Sequence, residues 1–214
     1  HIQAALDAAC YGGTVYVGPG EYREHISTSG VSLIGAGASK TTIRGPGVGT
    51  DPWGETVNIS VSVLDLNRDG KFERYVPTLS GFTITSDYVK ETGIQNQAFV
   101  HEGSVGVTVR SVIGENLLTI KNNVFKHLDL GVLLIQYDEP AAIINNTFIG
   151  GRGQDYAILM AFSSGTRYPY PYTIIENNAI VDYEKAGVLI LCPLSCDLLQ
   201  STDFTIQHNN TWSN

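Results

Sequence analysis

The segment Ile120-Lys121-Asn122-Asn123-Val124-Phe125 carries two adjacent asparagines between short apolar stretches, and the 214-residue chain repeats this pattern three more times. The later copies read Ile144-Asn145-Asn146-Thr147-Phe148, Ile175-Glu176-Asn177-Asn178-Ala179-Ile180 and Ile206-Gln207-His208-Asn209-Asn210-Thr211-Trp212. Successive pairs are separated by 23, 32 and 32 residues. A further apolar strand lies between neighbouring pairs, at 131–135, 157–160 and 187–191. Short strands that recur in this way are typical of the coils of a parallel β-helix.

The spacing of the repeat also predicts the organisation of the chain. The two longer steps indicate inserted loops near 163–172 and 192–202, and a third insertion is expected near 46–78. Residues 1–10 fit a short helix with one apolar face, which leaves 11–214 for the coils. We therefore expect a single domain over residues 1–214, cut from a longer chain. At about 23 residues per uninterrupted coil, it would hold about eight or nine coils, less the inserted loops.

The asparagines have a physical role in such a solenoid. One asparagine of each pair is expected in the sharp turn between two strands, where left-handed backbone angles are tolerated. We expect the same asparagine of successive coils to stack, amide on amide, as a ladder. The alternative is four unrelated turns that happen to contain asparagine. Large apolar side chains near the pairs should form a stack inside the solenoid, and these are Phe125, Phe148, Ile180 and Trp212.

The N-terminal stretch carries a family resemblance. Residues 2–37, IQAALDAACYGGTVYVGPGEYREHISTSGVSLIGAG, resemble the opening of many proteins of the pectate-lyase superfamily, in which a helix caps the open end of the solenoid. The asparagine repeats from residue 120 onward resemble the generic parallel β-helix repeat of the same superfamily. The resemblance implies an all-β fold, namely a right-handed single-stranded parallel β-helix with a short N-terminal capping helix.

The same resemblance implies a secreted or cell-surface protein that handles polysaccharide. Lyases of this superfamily use calcium-binding aspartate clusters with an arginine or lysine base, and the related alginate epimerases carry an Asp-Pro-His motif. The nearest match here, Tyr137-Asp138-Glu139-Pro140, lacks the histidine. The resemblance thus implies a domain that binds a polysaccharide and cleaves it as a lyase or glycoside hydrolase, without identifying the reaction.

Two other function classes stay open at this point. One is a non-enzymatic surface, adhesive or fibre-forming module that self-associates through the solenoid ends or faces. The other is a pure carbohydrate-binding domain. Turnover of a glycan, binding without turnover, or growth in particle size would distinguish the three.

The composition of the chain limits the classes of partner that it can bind. The net charge of −8, with no run of basic residues, argues against nucleic acid. Only 16% of the residues are charged and 23 are glycine, which suits an extracellular β-rich protein. No apolar stretch reaches 18 residues, so we expect no membrane span. Cys192 and Cys196 could close a small disulfide loop or remain two free thiols, and Cys10 makes the count odd.

A column of carboxylates is the first candidate site. Asp129 and Asp155 each lie two residues before a repeat strand, and Glu184 falls in the same region of the next coil. Crowded carboxylates favour either a shared proton, which suits acid–base catalysis, or a bound cation. Bound Ca²⁺ could hold a uronate, with a neighbouring base among His127, Arg152 and Lys185. The alternative is that these are turn residues that satisfy backbone amides.

A calcium loop is the second candidate, and it makes Ca²⁺ the predicted cofactor. Asp65, Asn67, Asp69 and Glu73, with the Lys71 carbonyl, occupy the spacing of oxygen ligands in a shortened EF-hand-like loop. A glutamate at the twelfth position is missing. The alternative is a β-hairpin closed by an Asp-Gly turn.

The third candidate is an aromatic loop for sugar contact. Tyr168, Tyr170 and Tyr172 alternate with prolines, which stiffen the loop. Rigidly held aromatic faces are good platforms for sugar rings. The alternative is that the three rings pack over the side of the solenoid or fill a subunit contact.

Overall fold

The structure is a computed structural model that describes residues 1–45, 55–61, 63–64, 73–75, 77–87, 104–111, 118–135, 141–151, 154–161, 173–191 and 204–212. Helix α1 spans Ile2–Ala8. The first eleven strands are β1 Thr14–Val17, β2 Gly20–Arg23, β3 Ile26–Ser29, β4 Ser32–Gly35, β5 Thr41–Gly45, β6 Glu55–Val61, β7 Val63–Leu64, β8 Glu73–Arg74, β9 Thr78–Ser80, β10 Thr83–Ser86 and β11 Val105–Ser111. The others are β12 Leu118–Lys121, β13 Val124–Lys126, β14 Leu130–Ile135, β15 Ala141–Ile144, β16 Thr147–Ile149, β17 Tyr156–Ala161, β18 Thr173–Glu176, β19 Ala179–Val181, β20 Ala186–Leu191, β21 Phe204–Gln207 and β22 Asn210–Trp212.

Three parallel sheets run along the molecule. The first, in the order β1-β4-β9-β12-β15-β18-β21, has seven strands, as does the second, β2-β5-β10-β13-β16-β19-β22. The third sheet has six strands in the order β3-β6-β11-β14-β17-β20. Because consecutive strands fall in different sheets and each pairs with the coil above and below, the chain winds as a parallel β-helix. The predicted fold is confirmed.

Inserted loops bear on the number of coils. In the described part of the chain the first and second sheets each contain seven strands, and the estimate of eight or nine coils still had the inserted loops to be subtracted from it. The regular step of 23 residues between Asn123 and Asn146 gives way to 32 residues between Asn146 and Asn178. Long connections therefore take up chain length that the estimate had assigned to coils.

Inward-facing side chains form continuous columns. In the second sheet, Ile84, Phe125, Phe148 and Ile180 are register partners in successive coils. The rings of Phe125 and Phe148 stack with centroids 4.7 Å apart and an interplanar angle of 6°. The predicted place of Trp212 in this stack is wrong. Thr211 pairs with Ile180, while Trp212 pairs with Val181 and is 56% exposed.

The asparagine ladder is present, but the two asparagines of a pair have different roles, one in the turn and one in the ladder. Asn122, Asn145 and Asn177 take the left-handed backbone, with φ of 55–56°. The neighbouring asparagines are buried and form the ladder: Asn123 donates to Asn146 at 3.2 Å and Asn146 donates to Asn178 at 3.1 Å. The expectation that one asparagine does both is therefore wrong, because the left-handed residue of the turn is exposed.

The last repeat is shifted by one residue. His208, with φ of 54°, takes the left-handed position, and Asn209 accepts the ladder bond from Asn178 at 3.0 Å. The ladder thus uses the first asparagine of this pair and the second asparagine of the other three. This shift explains why Trp212 faces outward.

The capping helix packs on the N-terminal end as predicted. Ile2 and Leu6 are buried against the core. The Glu24 carboxylate accepts the N–H groups of Ile2 and Gln3, at 2.9 and 3.1 Å, which satisfies two free donors of the first helical turn. The Gln3 amide donates to the Ser27 carbonyl at 3.0 Å and accepts the Ser27 N–H at 2.7 Å. Ser27 belongs to β3, the terminal strand of the third sheet.

Several other expectations concern single features. Within the described ranges, no helix combines the length and the apolar character needed to cross a bilayer. Cys10 is an exposed free thiol, and the Cys192–Cys196 pair lies outside the described residues. Strands β7 and β8 pair antiparallel, with Leu64 opposite Glu73.

Candidate functional site

The outer face of the third sheet is where the candidate residues meet. Val132 and Leu134 of β14 belong to the main core, whereas Leu133 between them belongs to a separate apolar cluster. Since side chains alternate across a strand, Leu133 points to the outer face, and the residues that cluster with it lie there too. Its buried members are Val105, Leu130, Leu133 and Leu159, and Tyr156 and Leu189 pack against it.

A row of polar residues precedes this apolar cluster. Val105, Leu130, Tyr156 and Ala186 are register partners in successive coils. The residues immediately before them are therefore aligned, and we call Ser104, Asp129, Asp155 and Lys185 the polar column. Backbone hydrogen bonds hold the alignment, such as Tyr156 N–H to the Asp129 carbonyl at 3.1 Å. Asp129 and Asp155 lie in one column, as the sequence predicted.

Asp129 and Ser104 bind each other reciprocally. The Asp129 Oδ2 atom accepts the Ser104 backbone N–H at 2.7 Å and its hydroxyl at 3.1 Å. In return the Ser104 Oγ accepts the Asp129 N–H at 3.0 Å. Two hydrogen bonds to the carboxylate and one from the backbone therefore tie Asp129 to Ser104, and Asp129 is half-buried at the edge of the sheet.

Asp155 and Lys185 form an ion pair one coil further along. The Lys185 Nζ lies 2.8 Å from Asp155 Oδ2 and 5.4 Å from the centre of the Tyr156 ring. Asp155 is buried, while the Lys185 side chain is 55% exposed. The hydrogen bond to Asp155 raises the pKa of Lys185 above its ordinary value, and the attraction of that carboxylate adds to it. Lys185 is therefore protonated at neutral pH.

The register places Lys185, and not Glu184, in the polar column. Because Tyr156 pairs with Ala186, Asp155 aligns with Lys185. Glu184 lies one position earlier, is exposed, and donates its N–H to the Gln154 carbonyl at 2.9 Å. The cation expected beside the carboxylates is therefore supplied at Asp155 by a side chain of the protein itself.

Other predicted site residues are either apart from the column or outside the described part. His127 is exposed in the turn before Asp129, with φ of 56°. Glu73 lies in β8, which pairs antiparallel with β7, and residues 65–72 between the two strands lie outside the described part of the chain. The residues that fall outside the described ranges are Arg152, Asp65, Asn67, Asp69, Lys71, Tyr168, Tyr170 and Tyr172. No group of three or more metal-ligating side chains occurs in the part of the chain that the structure describes.

A second charged group on this face was missed from the sequence. The Glu55 carboxylate, only 4% exposed, pairs with Arg110 at 2.6 Å and accepts the Asn58 amide at 2.8 Å. Glu55 is the register partner of Val105, so it lies beside the polar column. The one available signal was Arg110, which alternates with the core residues Val107 and Val109 and so falls on the outward side. Nothing local pointed to Glu55 as its partner.

Comparison with solved structures finds a similar molecule, the pectin methylesterase from Yersinia enterocolitica. The two superpose with a TM-score of 0.54 over 98% of this chain, at 13% sequence identity. The shared property is the right-handed parallel β-helix fold. This chain spans about 60% of the length of that enzyme. No protein-family model matches the chain, and no curated protein matches it either.

Proposed function

We propose that this protein is a carbohydrate-active β-helix domain that binds a polysaccharide along the outer face of the third sheet. The observation that carries the proposal is the Lys185–Asp155 ion pair beside the Tyr156 ring, one coil from Asp129. An aromatic ring offers an apolar face for the C–H groups of a sugar, and charged groups bind its hydroxyl or carboxylate oxygens. A solenoid presents these groups in a line, which suits a long linear ligand.

The charge of Lys185 bears on the reaction. A lysine that abstracts a proton, as a lyase base does, must be neutral, and Lys185 is held in its charged form by Asp155. The aspartates lie in adjacent coils, whose backbones are about 4.8 Å apart. Carboxyl groups on adjacent coils can therefore come within the range of roughly 5–9.5 Å that retaining and inverting glycosidases use. We therefore assign Asp129 and Asp155 to hydrolysis and Lys185 to binding an anionic or hydroxyl group.

The remaining predicted residues enter as secondary proposals. His127, Arg152 and Glu184 are the candidates for a further acid or base, and Tyr168, Tyr170 and Tyr172 for further sugar contacts. Ca²⁺ in the loop from Asp65 to Glu73 would be structural. Secretion or display at the cell surface would bring the domain to its ligand. The similarity to a pectin methylesterase makes pectin the first polysaccharide to test.

The experiment is affinity electrophoresis through gels that contain single polysaccharides, with turnover assays on the same panel. Turnover is followed as new reducing ends, as released ester acid and as the ultraviolet absorbance of an unsaturated uronate. The decisive variants are Asp155→Asn and Lys185→Gln, which we expect to weaken binding at least tenfold. The matched control is Asp182→Asn, because Asp182 lies in the same turn with φ of 58° and outside the polar column.

The outcomes separate the function classes. If a polysaccharide retards the protein and is also turned over, and both variants lose this turnover, the hydrolase is supported. If a polysaccharide retards the protein but is not turned over, the protein is a pure carbohydrate-binding domain. An absorbance rise from an unsaturated uronate would contradict the assignment of Lys185. If no polysaccharide retards the protein and light scattering grows with concentration, the domain is a self-associating structural module.

A further inference from the structure

Three acceptor sequences for N-linked glycosylation, of the form Asn-x-Ser/Thr, occur in the chain. They are Asn58-Ile59-Ser60, Asn145-Asn146-Thr147 and Asn209-Asn210-Thr211. A transferred glycan is bulky and hydrophilic, so a folded protein carries it on a side-chain amide that faces solvent. The contacts of the three asparagines therefore decide which of these sequences is compatible with the fold.

The side chain of Asn58 is tied to a buried carboxylate. Its amide donates to Glu55 Oε2 at 2.8 Å, and Asn58 itself is half-buried. Glu55 is only 4% exposed, and its other carboxylate oxygen pairs with Arg110. A sugar on the amide nitrogen of Asn58 would have to fit beside a carboxylate that is closed off from solvent. A glycan at this position would therefore break the contact that holds Glu55.

The side chain of Asn209 is the last step of the asparagine ladder. Its oxygen accepts the backbone N–H of Asn178 at 2.9 Å and the side-chain amide of Asn178 at 3.0 Å. Its nitrogen donates to the Ile175 carbonyl at 2.8 Å. A glycan would be attached to the nitrogen that makes this last bond, so it would crowd the contact with the coil below. Asn209 is therefore a poor carrier in the folded protein.

Asn145 belongs to the turn and not to the ladder. Its backbone has φ of 56° and donates its N–H to the Glu176 carbonyl at 3.1 Å, while the ladder passes through Asn146. Its side chain is exposed, and among the described residues none forms a hydrogen bond with that amide. In the last repeat His208 takes the turn position, so the acceptor sequence there falls on the ladder asparagine. The one-residue shift between repeats thus separates the compatible sequence from the incompatible one.

We propose that Asn145 is an N-glycosylation site of the folded protein and that Asn58 and Asn209 are not. The proposal rests on the secretion proposed above, but not on polysaccharide binding. In the transfer, Asn145 Nδ2 attacks C1 of a sugar that is linked to a lipid diphosphate. The N–C1 bond forms, the C1–O bond breaks, the diphosphate leaves with the electron pair, and the amide loses one proton. The turn joins β15 of the first sheet to β16 of the second, so the glycan leaves the outer face of the third sheet open.

Peptide mass spectrometry identifies the modified residue. The chain is produced behind a cleavable secretion signal in a eukaryotic host, and the secreted and the retained protein are both digested. Nearly all secreted molecules should carry the glycan on Asn145, and Thr147→Val should abolish it although Asn145 is kept. The matched controls Ser60→Ala and Thr211→Val remove the other two acceptor sequences and should leave the glycan content of the secreted protein unchanged.

The two pools of protein distinguish the outcomes. An unmodified Asn145 in both pools overturns the proposal, as does secreted protein with a glycan on Asn58 or Asn209. A glycan on either of those two in the retained pool alone supports it, because such chains would have been modified and then failed to fold. The readout is the mass of a peptide, so this result is independent of whether any polysaccharide binds.

Moving the glycan by one coil provides the second test. Asn177 takes the same turn position with φ of 55° and is exposed, and Ala179 is the register partner of Thr147. Adding Ala179→Thr to Thr147→Val gives Asn177 the acceptor sequence and avoids two glycans on coils about 4.8 Å apart. The double variant should be secreted with one glycan, on Asn177. If it is secreted without a glycan, exposure in this turn is not what selects Asn145.

Discussion

The side-chain oxygen of Asn178 accepts two hydrogen bonds from Asn146, one from its backbone N–H at 2.9 Å and one from its side-chain amide at 3.1 Å. Asn146 in turn accepts the same two bonds from Asn123, at 3.0 and 3.2 Å. Each amide also donates to a backbone carbonyl one coil earlier along the ladder, as Asn146 does to Ile120. Every buried amide group of the ladder is thus satisfied by its neighbours, which makes each one hard to replace.

Asn146→Ala should lower the free energy of unfolding by about 3 kcal/mol, since it removes several buried hydrogen bonds and leaves their partners unpaired. The measurement is urea unfolding followed by circular dichroism. The control is Asn145→Gly at the adjacent exposed position, where φ is 56° and glycine is tolerated, with an expected change below about 0.5 kcal/mol. Equal losses in the two variants would show that the ladder contributes no more than the turn.

Gly131→Ala should destabilise the protein by about 1–3 kcal/mol through overpacking. A Cβ atom there would lie 2.6 Å from both the Ala157 carbonyl oxygen and a carbon of the Phe148 ring. Gly187 lies two coils along in the same column, and a Cβ there would lie 3.3 Å from its nearest neighbour, Ile180. Gly187→Ala should therefore cost less when the two melting temperatures are compared. The reverse order would disprove this account of the column.

The Lys185–Asp155 pair should contribute stability that is lost at alkaline pH. The pKa of Lys185 is raised in the folded state, so its contribution is complete below the unfolded value of about 10.4 and fades as pH rises through the folded value. The difference in unfolding free energy between wild type and Lys185→Gln should be constant near neutrality and shrink above about pH 10.4. Taking this difference cancels the ionisation of Tyr183, which acts in the same direction. A difference that is constant up to pH 12 or so would contradict the pairing.

Two arginines and two carboxylates link three coils on the outer face of the second sheet. Arg44 binds Glu21 at 2.9 Å and Asp87 at 2.9 Å, and Arg23 contacts the same two carboxylates. The hydrogen bond from Arg44 lowers the pKa of Glu21. The contribution of Glu21 to the free energy of unfolding should be present above about pH 4.3. It should be lost as the pH falls through the lowered pKa of Glu21 in the folded state.

Thermal unfolding of the wild type and of Glu21→Gln at low salt measures this loss of stability at acid pH. The wild-type melting temperature should fall more steeply than that of the variant below about pH 4.3. Because exposed pairs are screened, molar salt should bring the two curves together. Curves that stay apart in high salt would point to packing rather than charge.

The fold could be predicted because the turn and the ladder repeat within short, contiguous segments. The prediction from sequence was wrong where two residue types suit the same backbone conformation. His208 and an asparagine can both adopt the left-handed turn, so the register of the last repeat could not be determined. Trp212 was therefore predicted to face inward. Asp129 and Asp155 could be aligned because each precedes its strand by the same offset, whereas Glu184 and Lys185 could not be distinguished before the register was known.

The rest of the site has no local signature. Arg110 and Glu55 pair across 55 residues, and a pairing at that distance is created by the winding of the coils rather than by any spacing in the sequence. Tyr183 looks like an ordinary turn residue until Gly150 is seen to leave space for its ring, because a Cβ atom at Gly150 would lie 3.0 Å from Tyr183 Cδ2. Contacts between coils are therefore the part that a single sequence leaves undetermined.

The bidentate contact between the Gln3 amide and the backbone of Ser27 imitates one step of a strand ladder with a side chain. A foreign strand that tried to extend the third sheet beyond β3 would find the donor and the acceptor of Ser27 already occupied. The helix therefore blocks the addition of further strands to the third sheet at this end. Copies of the protein that associate through β3 would first have to displace Gln3 from Ser27. Because Gln3→Ala removes this contact, we expect fibres to form in that variant before they form in the wild type.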